Sequence, residues 1–396
     1  MKKLQLFLLT MAHFSVDSYA TMLAPILPLV IQRQGLSLAS AGILGTIVSA
    51  CNLSQPLLGM WADHMRRRWL IVGGVGLAAV FTPLLGLAPS YWVLVTVLCL
   101  GGFGVAAFHP QAFSLAGELS GTRRSFGLAL FVFGGTMGLG VTPLWVPFFA
   151  QSIGLEWLPL VGIPGLVFLL LVLRFVALDN RHAATLERPD RVTGFNGAGR
   201  PLALITVVVI LRSVTALGFA FFLTVLLSRE RGLSLVEGGV PLAAYNIAGV
   251  SGALLFGYLG DRFNARPLVC GSLFLSVPAL LAFLQIEGPL GYVPLAIGGG
   301  LLLASNSILV ALAQELVPQR SGLASSLPLG FSWGIASLSL GPVGWLADTY
   351  GVTETLRCLA LLPLVTGTVA LFLPARPERI PADSDNTSAD STERTG

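Results

Sequence analysis

Twelve apolar runs, each close to the roughly 17–25 residues that a bilayer-crossing helix needs, leave this chain essentially one way to fold. In hydrocarbon every backbone N–H and C=O must be bonded within the protein, so runs of this kind become helices packed side by side. They fall at 5–31, 39–62, 69–88, 91–116, 125–150 and 157–178, then at 201–228, 236–260, 267–286, 291–316, 322–347 and 354–374, spans 1 to 12 in order. Only 11% of the 396 residues are charged and the mean hydropathy is +0.82, against about 25% charged for a soluble domain. An all-α membrane protein is expected, with a lipid bilayer around most of its length.

Arginine and lysine assign the two sides. Sixteen of them, from Lys2 and Lys3 through Arg66–Arg68, Arg123 and Arg124 to Arg376 and Arg379, fall on one side of the alternation. The other side holds Arg33, Arg229, Arg231 and Arg357. The positive-inside rule then puts both termini in the cytoplasm. It also accounts for the net charge of +4 without a nucleic-acid partner. Cys51, Cys99, Cys270 and Cys358 lie within or at the ends of apolar runs with no CxxC pair, so they read as small core residues, and no cofactor or metal site is expected. Met1-Lys2-Lys3 before an apolar run superficially suggests a signal peptide, but the run continues to Ile31 without a convincing cleavage site and reads as a retained span.

The chain repeats itself. Gly35-Leu-Ser-Leu38 before span 2 recurs as Gly232-Leu-Ser-Leu235 before span 8, and Gly59-Met-Trp-Ala-Asp63 recurs as Gly257-Tyr-Leu-Gly-Asp261, at offsets of 197 and 198 residues. Two six-helix halves, 1–178 and 201–375, are expected about a pseudo-two-fold axis along the membrane normal, with a site between them near the midplane. The polar stretch 179–200 reads as a cytoplasmic linker, and 376–396 as a disordered tail.

Within span 1, His13 and Asp17 stand four residues apart, on one face of a helix. Counted from Gln5, Asp17 lies roughly 18 Å along the axis at 1.5 Å per residue, near the middle of a core about 30 Å thick. A carboxylate there costs about 2.5–3.5 kcal/mol on insertion scales and marks a functional site by default. His109 in span 4 lies at comparable depth, and Arg212 in span 7 is the deep basic residue of the second half. These four are the candidates for proton coupling and substrate contact; each also has a structural reading, as an acid bonded to hydroxyls, a histidine satisfying carbonyls near Pro110, or a fixed counter-ion. Asn52, Gln55, Tyr245, Asn246 and Asn306 are weaker cavity candidates.

The repeated loop, Gly59-x-x-x-Asp63-His-x-Arg-Arg67-Arg68 with its copy Gly257-x-x-x-Asp261-Arg262-x-Asn264-x-Arg266, resembles the signature loop of the major facilitator superfamily. His64 and Arg66 depart from that pattern, and Asn264 is expected to take the left-handed turn position. The run Gly134-Gly-Thr-Met-Gly138-Leu-Gly140-x-x-Pro143 in span 5 is similar to the glycine and proline motif of the superfamily's antiporters, with close helix crossing as its physical basis. His13-Phe-x-x-Asp17-x-Tyr19, Pro25-x-x-Pro28, Gln55-Pro56 and Phe108-His109-Pro110 look like the fosmidomycin-resistance-type branch. The resemblance implies the major facilitator fold and central lining by spans 1, 4, 7 and 10. It also implies a bacterial inner-membrane protein, acting as a monomer, that exports a small molecule in exchange for protons, with Gly59, Asp63, Arg67, Arg68, Gly257, Asp261, Arg262 and Arg266 as gating-loop residues. Uptake by symport fits the same architecture, and a non-transporting sensor is the more distant alternative. No H-E-x-x-H, P-loop or G-x-S-x-G stands in a suitable setting, so neither an enzyme nor an ATP-driven pump is expected.

Overall fold

The computed structural model describes residues 1–55, 58, 67–176, 198–317, 324 and 327–374. Among the described residues fourteen helices carry the fold: α1 Lys3–Ala20, α2 Leu27–Gln34, α3 Leu38–Ala50, α4 Arg67–Phe81, α5 Tyr91–Ser120, α6 Arg124–Ser152 and α7 Gly162–Phe175 make the first half. The second half is α8 Gly199–Arg229, α9 Leu235–Arg262, α10 Ala265–Gln285, α11 Tyr292–Leu316, α12 Ser332–Ser337, α13 Leu340–Tyr350 and α14 Val352–Ala370. Among the described residues there is no strand, and ten helices are long and apolar enough to cross a membrane. The described part of span 2 includes an apolar helix, Leu38–Ser54. In the described part of span 11, expected as one helix, a π-helical turn Leu327–Phe331 leads into α12, and α13 follows after a break at residues 338–339. Span 1 breaks too: a 3-10 turn, Ala24–Ile26, separates α1 from α2, with Pro25 and Pro28 each at the start of its segment, where a missing N–H costs nothing.

The repeat holds at the level of single residues. Gly35 and Gly232 both take the left-handed conformation, with φ of 63° and 66°, which a Cβ would disfavour. Ser37 and Ser234 then cap the helices that follow, accepting from Ser40 N and Glu237 N. Asn264, in contrast, is not left-handed: at φ −62° it caps α10 and accepts from Arg266 N, because an Asx cap satisfies a helix N-terminus that a left-handed turn would leave open.

The two halves are tied together from the Gly35 end of the bundle to its middle. Asp348, at the end of α13, accepts from Leu38 N (2.8 Å) and Ala39 N (2.9 Å). With Ser40 N on Ser37, the first three amides of α3 are all satisfied, two of them by the opposite half. Small residues allow the approach: a Cβ on Gly42 would overlap Leu340 O, and one on Gly344 would overlap Leu38 O. Thr46 donates to Ser337 O, Thr224 to Ala24 O and Asn246 to Leu139 O. Asp348→Ala removes both acceptors and is expected to cost this closed arrangement about 0.5–2 kcal/mol, as loss of a cap does, up to roughly thirtyfold in the closed-to-open ratio. Distances between spin labels on the two halves at that end measure the shift; an unchanged distribution would show that the cap is not a latch.

Candidate functional site

The site is built where α1, α5 and α6 meet inside the first half. The four-residue spacing on α1 stacks Asp17 over His13, with His13 Nε2 3.3 Å from Asp17 Oδ2. From α5, His109 reaches the other carboxylate oxygen, Nε2 to Oδ1 at 3.1 Å, and comes within 3.3 Å of His13 Nε2. The second ring nitrogens are fixed. His13 Nδ1 lies 2.9 Å from Phe131 O and His109 Nδ1 lies 2.8 Å from Val105 O. A carbonyl only accepts, so both Nδ1 atoms carry hydrogen. Pro110 leaves the carbonyl of Ala106 without its helical donor, so His109 is not repairing that defect.

With both Nδ1–H bonds assigned, a neutral His13 and a neutral His109 present only lone pairs from Nε2. Two imidazole acceptors and a carboxylate then face one another at hydrogen-bond distance, an arrangement that repels itself unless a cation is shared among them. The surroundings sharpen this. His13 stacks on the Phe131 ring at 4.1 Å, with Phe113 and Phe108 at its edges, so little water screens the cluster. The His13 side chain is 4% exposed, Asp17 11% and His109 20%, and access is therefore along His109. On α6, Gly135 keeps the near side clear: a Cβ there would lie within 2.5 Å of Asp17 Oδ2 and His13 Nε2. Gly134 and Gly138 of the same motif seat Thr10 and Phe14 of α1.

Arg212, on α8, is in a different place. It is fully buried, and Nη2 donates to Ser213 Oγ and Asn306 Oδ1, both at 3.2 Å. Its guanidinium carbon lies 5.5 Å from the Trp333 ring centroid. Nε and Nη1 have no hydrogen-bond partner among the described residues, and neither does the buried Ser305 Oγ next to Asn306 in sequence. Asp17 is thus paired with the two histidines rather than with Arg212.

The weaker candidates divide. Asn306 belongs to the Arg212 site, whereas Asn52 accepts from Gln55 (2.9 Å) within one helical turn. Tyr245 is buried, donating to Ala216 O, and Asn246 bridges the halves. In the second loop copy, Arg262 covers the Tyr258 ring at 4.3 Å, Arg266 Nε donates to Leu373 O, and a Cβ on Gly257 would lie 3.3 Å from Ser307 Cβ; Asp261 has its own partner. Gly59 and Asp63 lie outside the described residues, as do the side chains of Arg67 and Arg68. Sequence reasoning missed Trp333, Phe131 and Asp348, and it read Gly135 only as part of a packing motif.

The profile of the Major Facilitator Superfamily matches residues 9–338. The chain belongs to that superfamily. It is 28% identical over 382 residues to an uncharacterized MFS-type transporter, YfnC, of Bacillus subtilis (strain 168), covering 93% of this chain and 92% of that one. It is 26% identical over 375 residues to the fosmidomycin resistance protein of Escherichia coli (strain K12), covering 92% and 91%. A solved structure of a bacterial homolog of the human lysosomal transporter Spinster, in an inward-facing and unoccupied conformation, superposes with a TM-score of 0.83 at 18% identity, covering 94% of this chain and 96% of that one. The superfamily member is therefore a multi-pass membrane transporter of small molecules, with the fold expected from the sequence, and not an enzyme.

Proposed function

We propose that this superfamily member is a proton-coupled exporter of a small molecule, working by alternating access of its two halves. The observation that carries the reading is the convergence of His13 Nε2, His109 Nε2 and both Asp17 oxygens, which needs a shared cation. A proton held there in one state and released in the other is the coupling element. The contacts that tie the halves at the Gly35 end suit the inward-facing state named for the Spinster homolog, with that end outside by the positive-inside rule and both termini, the 179–200 linker and the 376–396 tail in the cytoplasm. Rocking of 1–178 against 201–375 then opens the opposite end, with the loops around Asp63 and Asp261 as its hinges and gates.

In the second half, Nε and Nη1 of the buried Arg212, without a hydrogen-bond partner among the described residues, carry three N–H groups beside Asn306 and Trp333. A buried guanidinium with no carboxylate beside it among the described residues is costly, and the anionic part of the substrate pairs with it. The triad and Arg212 divide the work: one half carries the proton, the other grips the cargo.

The test begins with a thermal-shift screen of the purified chain, with fosmidomycin among the compounds because a relative carries that name. Flux of each hit into inverted vesicles is then measured with and without an imposed proton gradient. Gradient-driven accumulation of at least one hit is expected, falling to the passive level in Arg212→Gln while Arg212→Lys keeps part of it. Flux that ignores the gradient would overturn proton coupling, and an unchanged KM in Arg212→Gln would remove Arg212 from the substrate site.

A further inference from the structure

The triad that needs a cation also has the dimensions of a metal site. A tetrahedral ion with bonds of about 2.0–2.1 Å holds its ligand atoms about 3.3–3.4 Å apart. The two Nε2 atoms are 3.3 Å apart, and each faces its own carboxylate oxygen, His13 Nε2 3.3 Å from Asp17 Oδ2 and His109 Nε2 3.1 Å from Asp17 Oδ1, so an ion held by both histidines meets the carboxylate through either oxygen. All three residues offer ligand atoms within 4.8 Å of one another. Two imidazoles and one carboxylate form a borderline donor set that suits zinc and its neighbours in the first transition row better than magnesium or calcium, which take oxygen.

The second ring nitrogens of the histidines point the same way. A metal-bound histidine characteristically donates its second ring N–H to a carbonyl or carboxylate, which fixes its tautomer. Both histidines do so here, to Phe131 O and Val105 O. The partial exposure of His109 leaves a way in.

We propose that His13, Asp17 and His109 bind one divalent transition-metal ion of the zinc class, with three protein ligands and one open position. An ion there occupies the place of the shared cation and ties α1 to α5, so Zn2+ blocks transport. The site stands on the ligand geometry and does not rest on proton coupling.

Co2+ is the probe. The chain has four histidines, so the full-length protein without a histidine tag, in detergent, is titrated with Co2+ and followed by visible absorption. Expected are the intense d–d bands of four-coordinate Co2+ at one ion per chain, bleached by one equivalent of Zn2+. His109→Gln should weaken binding about 100-fold or abolish it, and His109→Cys should retain an ion and add thiolate charge-transfer bands. Only the weak spectrum of aqueous Co2+ in the wild type would overturn the site. So would full bands in a folded His109→Gln, or His109→Cys bands without sulfur character. If the site fails while gradient-driven flux persists, the transport reading stands; if flux ignores the gradient while the bands appear, the metal site stands.

Discussion

Asp17→Asn is expected to abolish gradient-driven transport while the protein folds, binds substrate and exchanges it at equilibrium. Asparagine has the size of aspartate and its amide N–H is able to donate to the Nε2 lone pair of one histidine, but it carries no charge. The carboxylate's cost in the membrane, about 2.5–3.5 kcal/mol on insertion scales, disappears with it, so the melting temperature should hold or rise. What goes is the reason for a cation to enter: with Asp17 neutral, His13 and His109 satisfy their short contact by tautomer change or by moving apart. Net flux against a gradient then falls to the passive level, a loss limited only by the assay. Substrate counterflow, which needs both halves to rock but no net proton movement, should remain within a few-fold of wild type. Undiminished gradient-driven flux in Asp17→Asn would remove this carboxylate from the coupling step, wherever else the proton travels.

Much of this site was legible in the chain because helices make local spacing meaningful. His13 and Asp17 share a face by periodicity alone, and the costly acid announced itself against the apolar run around it. The repeated Gly-Leu-Ser-Leu gave the two halves, and its glycines and serines have the same backbone role in each copy. The spacing of the chain does not put His109 against Asp17: residues 92 apart meet only if α1 and α5 cross at one particular height. The metal-like arrangement escaped for the same reason, since its ligands come from two helices and leave no short motif. Asp348 is 310 residues from Leu38, and a surface aspartate near a helix end carries no mark of the amides it will cap. Arg212 is buried in the structure, but the chain does not reveal that Asp17 is already paired and that Arg212 faces Asn306 and Trp333 instead.

Gly135 carries the second large effect, through the smallest possible change. Alanine is the better helix former by about 1 kcal/mol, so in the middle of α6 Gly135→Ala should stabilise if packing were indifferent. Gly271, in α10, is such a position: a Cβ there meets nothing within 4 Å, and Gly271→Ala is expected to raise the melting temperature and leave flux unchanged. At Gly135 the methyl would stand within 2.5 Å of Asp17 Oδ2 and His13 Nε2, and neither can retreat freely. His13 is pinned by Phe131 O and stacked on the Phe131 ring, and Asp17 is held by His109 from the other side. Either α6 moves off α1, at the about 1–3 kcal/mol typical of overpacking, or the triad opens. Both outcomes put the acid and the histidines out of register, so transport is lost although every ionisable group is still present. Gly135→Ala flux at the wild-type level, measured beside Gly271→Ala in the same vesicles, would mean that α6 does not form the wall of this site.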